Sequence, residues 1–186
     1  MSAGRNNKGY TMRHNTFVYF AAYGAAALLA ACSHPAPPAR TAQKPDRDPQ
    51  AAVASIRAAA AQYESSVEVR PLRDPAVEGL LKQAHDAETQ QQPTQALASV
   101  RKALSIAPQA PDILQYEAEL LVETGDWRNA AQSAQKSYEL GPKVGSLCAR
   151  NVETLVEART TLGDTDGAAA ARQQASGCRV PAPARY

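Results

Sequence analysis

This chain has little of what enzymes use. Three histidines and three cysteines are spread over 186 residues, and none stand at a metal-ligand spacing. The absence of a Cys-x-x-Cys pair excludes a dithiol redox centre. Neither a Gly-rich phosphate loop nor a nucleophile elbow is present. No residue is therefore a candidate for catalysis, metal or cofactor binding, and the chain does not read as an enzyme. His85, one turn from Lys82 and Glu88, reads as a solvated surface histidine. Aromatics make up only 5% of the residues, so a core must come from small side chains on closely packed helices. Charge of one sign is also missing. The formal net charge is +2, but Arg5, Lys8 and Arg13 stand in a stretch of 31 residues without an acid. Without that stretch the chain is slightly acidic, which gives no nucleic-acid footprint. A long apolar run is lacking too. Phe17 to Ala31 spans 15 residues, short of the roughly 20 that cross a bilayer.

A basic segment followed by a short apolar run is the pattern of a secretory leader. Its end, Leu29-Ala30-Ala31-Cys32, resembles the bacterial lipobox. The resemblance implies acylation of Cys32 and removal of residues 1–31. Ser33 in place of an aspartate implies sorting to the outer membrane, periplasmic face. The alternative is an ordinary signal peptide cut nearby. Translation starts at Met1 or at Met12. Residues 32–48 carry Pro35, Pro37, Pro38 and Pro45 among polar residues and read as an extended tether. At about 3.1 Å per residue it reaches on the order of 50 Å.

Beyond the tether the chain alternates helix starts and stops. Asp48-Pro49 and Asp74-Pro75 each place a capping residue before a proline at the first helical position. Val53, Ile56, Ala60 and Tyr63 share one face of the first helix, which is expected to pack on the first repeat. Ser65 to Arg73 reads as extended. From Val77 to Pro142 two segments match at an offset of 34 residues: Leu80 with Leu114, Ala84 with Ala118, Ala96 with Ala130, Pro108 with Pro142. The stripes are Val77, Leu80, Leu81, Ala84 and Ala87, then Ala96, Val100, Ala103 and Leu104. In the second copy they are Leu114, Ala118 and Leu121, then Trp127, Ala130, Ala134 and Tyr138. Gly141 marks the stop. This period, with Gly125-Asp126-Trp127-Arg128-Asn129-Ala130 as the inter-helix turn, resembles the tetratricopeptide repeat (TPR) family. The first copy departs from it, with Gln91-Gln92-Pro93 at the turn and Ala87 for a large aromatic. An Ala-rich bundle with chance similarity is the alternative.

Leu162-Gly163-Asp164 repeats Thr124-Gly125-Asp126 at an offset of 38 residues. A third hairpin with an insertion near residues 143–146 is therefore expected, ending at Gly177. The fold expected is all-α: a short α-solenoid of about three TPR-like hairpins over residues 74–178, preceded by an extra N-terminal helix within 49–73. Residues 179–186 form a tail. Cys148 near the start of one helix and Cys178 past the end of its antiparallel partner lie at the same end of the hairpin. In an oxidising periplasm they are expected to form a disulfide. Two separate thiols are the alternative.

The repeat frame puts Lys82, His85 and Glu88, then Gln115, Tyr116, Glu119 and Glu123, then Arg150, Glu153 and Glu157 on the inner face of successive first helices. Acids prevail, which favours a protein partner segment with Lys or Arg; an ordinary wet face is the alternative. Lipobox, tether and few repeats together resemble small TPR outer-membrane lipoproteins. One group of these activates class A penicillin-binding proteins, peptidoglycan synthases, and the third hairpin is most similar to that group. Another group acts as pilotins in secretin or pilus assembly. The resemblance implies a non-enzymatic lipid-anchored scaffold for a protein partner.

Overall fold

The structure is a computed structural model that describes residues 47–61, 63 and 72–179. The leader, Cys32, most of the tether, residues 62 and 64–71, and residues 180–186 of the tail lie outside the described residues. The described part is all-helical: α1 (Pro49–Ala61), α2 (Pro75–Thr89), α3 (Pro93–Ile106), α4 (Pro111–Glu123), α5 (Trp127–Leu140), α6 (Gly145–Leu162) and α7 (Thr165–Ala175), with a 3-10 turn at Ser176–Cys178. Four helices open on a proline, where its missing N–H costs nothing. Asp74, Asp126 and Asp164 accept hydrogen bonds from the first-turn amides of α2, α5 and α7.

The helices pair as α2–α3, α4–α5 and α6–α7, each pair resting on the next. Ala84, Ala96, Ala118 and Ala130 are fully buried. A methyl side chain at these positions lets the axes approach closely. The three hairpin turns are closed alike. The amides of Gln92, Asp126 and Asp164 donate to the carbonyls of Ala87, Leu121 and Arg159 at 2.8–2.9 Å, the six-to-one bond of a Schellman turn. This closure needs a left-handed residue, supplied by Gly125 and Gly163 with φ of 78° and 80°. In the first repeat Gln91 takes that place at φ 57°, so the turn survives the loss of its glycine.

The structure differs from expectation in three places. Gly141 is the stop of α5 as expected, but in an extended conformation and not the left-handed one usual for a glycine after a helix. It is small because a Cβ there would meet the Ser137 carbonyl at 2.9 Å and Pro111 Cβ at 3.2 Å. Tyr138 is only partly buried, and its neighbour Ser137 is the buried residue, donating to the Pro111 carbonyl at 2.6 Å. Third, α1 does not pack on the first repeat. It lies on α6 and α4, burying Ala52, Val53, Ile56 and Ala60. The insertion before α6 is a bend at residues 141–144, where Lys143 donates to the carbonyls of Tyr138, Glu139 and Gly141. No described helix is long and apolar enough to cross a membrane.

Candidate functional site

The first helices of the hairpins, α2, α4 and α6, carry a row of polar side chains on one side, and α1 lies along that row. Its sequence explains the fit. Alanine at 52 and 60 and branched residues at 53 and 56 make a narrow apolar stripe, with Arg47, Ser55 and Arg57 flanking it.

Each flanking group meets an acid. Arg47 binds Glu157 with two bonds, Nε to Oε2 at 2.8 Å and Nη2 to Oε1 at 2.5 Å. Ser55 Oγ donates to Glu153 Oε1 at 3.1 Å. Arg57 bridges two helices, with Nε donating to Glu119 Oε2 at 3.0 Å and Nη2 to Glu88 Oε1 at 2.5 Å. The Glu88 bond is the reach of α1 to the first repeat.

Glu119 is the centre of the arrangement. Its side chain is fully buried, where an unpaired charge would be very costly. Two guanidiniums serve it: Arg57 on one oxygen, Arg150 Nε at 2.6 Å on the other. Gln115 Nε2 adds a bond to Glu119 at 3.0 Å and one to Thr154 Oγ1 at 2.8 Å. The Gln115 carbonyl oxygen has no partner among the described residues.

At the open end, Tyr116 OH donates to Glu88 Oε2 at 2.8 Å, and His85 stacks on the Tyr116 ring with centroids 4.7 Å apart. Burial acts to raise the Glu88 carboxyl, but the bonds from Arg57 and Tyr116 outweigh it and hold it below its ordinary value. Burial, and then the Glu88 carboxylate, push the Tyr116 phenol far up. Two acids go the other way. Burial, reinforced by Glu88, raises Glu123. Burial, reinforced by Glu157 and eased by Ser55, raises Glu153.

The inner-face residues read from the repeat frame thus divide. Gln115, Tyr116, Glu119 and Glu157 are buried, and Arg150 is turned onto Glu119. Glu119, Glu157 and, through Glu119, Arg150 and Gln115 are engaged with α1 and are not a free surface. Lys82 and His85 remain exposed, with 76% and 66% of their side chains in water, and Glu123 is intermediate. Lys82 pairs within its own helix with Asp86. Beyond the Arg47 end an open cleft of about 460 Å³ is lined by residues that include Arg47, Glu153, Glu157, Thr160, Thr161 and Arg172. At the far edge of the domain the structure joins Cys148 to Cys178, Cα atoms 5.5 Å apart. Arg47, Ser55 and Arg57 were not among the residues the sequence reading singled out. A signal existed: two arginines bordering an apolar stripe, against an acid-rich inner face.

No protein-family model and no curated protein matches the chain. Among solved structures it is similar to the globular C-terminal domain of LpoP from P. aeruginosa. The identity is 32% and the TM-score 0.51, and the match covers 56% of this chain and 99% of that domain.

Proposed function

Taking that likeness as the premise, we propose that this chain is an envelope lipoprotein whose helical domain binds and regulates a class A penicillin-binding protein. It is anchored by acylated Cys32 at the periplasmic face of the outer membrane and performs no reaction of its own. The observation that carries the reading is the 32% identity over 99% of the LpoP domain. That domain is a globular C-terminal one, and here too the helices follow a long N-terminal segment. The lipobox-like Leu29-Ala30-Ala31-Cys32 supports the anchor, and the proline-rich stretch supports a tether that carries the domain towards a partner. A Cys148–Cys178 bridge fits an oxidising compartment.

The test is crosslinking in intact envelopes followed by capture of the tagged chain. A penicillin-binding protein is the expected product. Recovery of a secretin subunit instead would replace this reading by a pilotin-like one. In parallel, an alkyne fatty acid should label the wild type and not Cys32→Ser.

A further inference from the structure

We propose that the row of acids spanned by α1 is the docking site for a basic amphipathic helix of the protein partner, and that α1 is the occupant this helix displaces. The inference rests on the protein-binding role proposed above and adds the chemistry of the partner segment and its place.

α1 shows what the site accepts: a helix with small or β-branched residues at successive positions i, i+1, i+4 and i+8, here Ala52, Val53, Ile56 and Ala60. Basic groups stand on either side of that stripe. The site is a helix-in-groove arrangement already filled by the chain's own segment.

α1 is also an imperfect occupant. Five acids border the site: Glu88, Glu119, Glu123, Glu153 and Glu157. α1 and the two residues before it bring two guanidiniums, Arg47 and Arg57, which take Glu157, Glu119 and Glu88, and Arg150 from the wall adds a second cation to Glu119. Glu153 receives only the Ser55 hydroxyl, and Glu123 makes no ion pair among the described residues. Both carboxyls are partly removed from water without a cation in contact, which is unfavourable. A helix with Arg or Lys where α1 has Ser55 would keep the other bonds α1 makes and exchange the Ser55 hydrogen bond for an ion pair with Glu153. This argues for a partner helix over the α1 of a second copy, whose charges would repeat the deficit. α1 rests on α4 and α6 and reaches α2 only through Arg57, while the hairpins contact one another directly through α3–α4 and α5–α6, so its release leaves the three hairpins packed on each other.

The experiment uses the full chain and two fluorescent peptides, residues 47–61 as they stand and the same peptide with Ser55→Arg. A scrambled peptide of the same composition as the second is the control. The arginine peptide should bind about tenfold tighter than the unaltered one, the size of one charge-assisted contact. Hydrogen exchange of Ala52 to Ala60 should speed up on binding while α4 and α6 stay protected. In a Glu153→Gln chain the tenfold preference should shrink towards parity. Binding no tighter than the scramble, or binding that leaves α1 protected, would overturn the proposal. So would a chain that exchanges α1 with a second copy and is dimeric without peptide. The assay needs no penicillin-binding protein, so its failure removes the groove, while failure of the envelope crosslinking removes the proposed partner.

Discussion

The two edge helices of this domain, α1 and α7, face the same difficulty and meet it differently. Each has the body of the solenoid on one side and water on the other, and each buries little. α7 buries Ala168 and Ala171. α1 buries two alanines, a valine and an isoleucine. Each leaves one face in water and carries a tie beyond its apolar contacts. The α7 edge is fixed by a covalent bond, Cys148 to Cys178. The α1 edge is fixed by guanidinium–carboxylate bonds to three first helices. A covalent closure is indifferent to salt, pH and competing segments, whereas an ionic one responds to all three. The chain therefore has one permanent edge and one exchangeable edge, and the exchangeable one lies over the acids of the candidate site.

Four changes would break or sharpen that contrast. The largest effect is expected from Cys148→Ala with Cys178→Ala. The bridge closes a loop of 30 residues, for which the chain-entropy treatment gives about 3–4 kcal/mol. Denaturant melts should show that loss. A melt of the double variant indistinguishable from that of the wild type would remove the covalent half of the contrast.

Next comes Ile56→Ala. Ile56 is fully buried, and such truncations cost about 2–5 kcal/mol. The cost here is capped by the docking free energy of α1, so the lower end is expected. Native-state hydrogen exchange is the measurement. Protection should fall in α1 and hold in α4; equal losses in both would mean that α1 is part of the global unfolding unit and is not exchangeable.

Arg57→Gln should cost less, about 1–2 kcal/mol. It removes the bonds to Glu88 and Glu119, but Arg57 is half-exposed and Arg150 still serves Glu119. The wild-type advantage over this variant should shrink between 50 mM and 500 mM salt, as the Debye length contracts. An advantage that ignores salt would mean that the arginine works through its aliphatic stem.

Much of this arrangement was legible in the residues, and the part that was not has a definite cause. The offset of 34 placed α2 to α5, because matched alanines fix both the helices and their closest approach. The Gly-Asp turns placed the third hairpin. The first turn carries no glycine at position 91, yet Gln91 takes the same left-handed geometry. The site of α1 was not legible. Hydrophobic periodicity says which face of a helix is buried but not which neighbour buries it, and the Val53–Ile56 stripe is the same on either. What chooses is the meeting of Arg57 with Glu119, 62 residues away in sequence. The repeat frame puts Glu119 and Gln115 on the inner face and is silent on what lies over them.

The smallest effect, and the one with the clearest sign, belongs to Glu153→Gln. Burial raises the Glu153 carboxyl above its reference value of 4.5, with Glu157 adding to the rise and the Ser55 hydroxyl, Arg172 and Arg47 opposing it. A group raised in the fold favours folding below its unfolded value, and that contribution is lost as pH climbs through the folded one. At neutral pH the charged Glu153 is thus a liability. Glutamine keeps an oxygen to accept from Ser55 and carries no charge, so the variant should be more stable at pH 7 by up to about 1 kcal/mol. Glu88 works in the opposite sense. Its carboxyl is held below 4.5, so its contribution is present above that pH and lost on further acidification. The wild type should therefore gain stability as pH falls from 7 towards 4.5, and then lose it. The variant should show a flatter neutral side, retaining only the like-signed rise from Glu123, and the same acid limb. A pH series of melting temperatures for both chains decides the matter. If the two curves stay parallel from pH 7 to 4.5, Glu153 carries no deficit for a cation to fill.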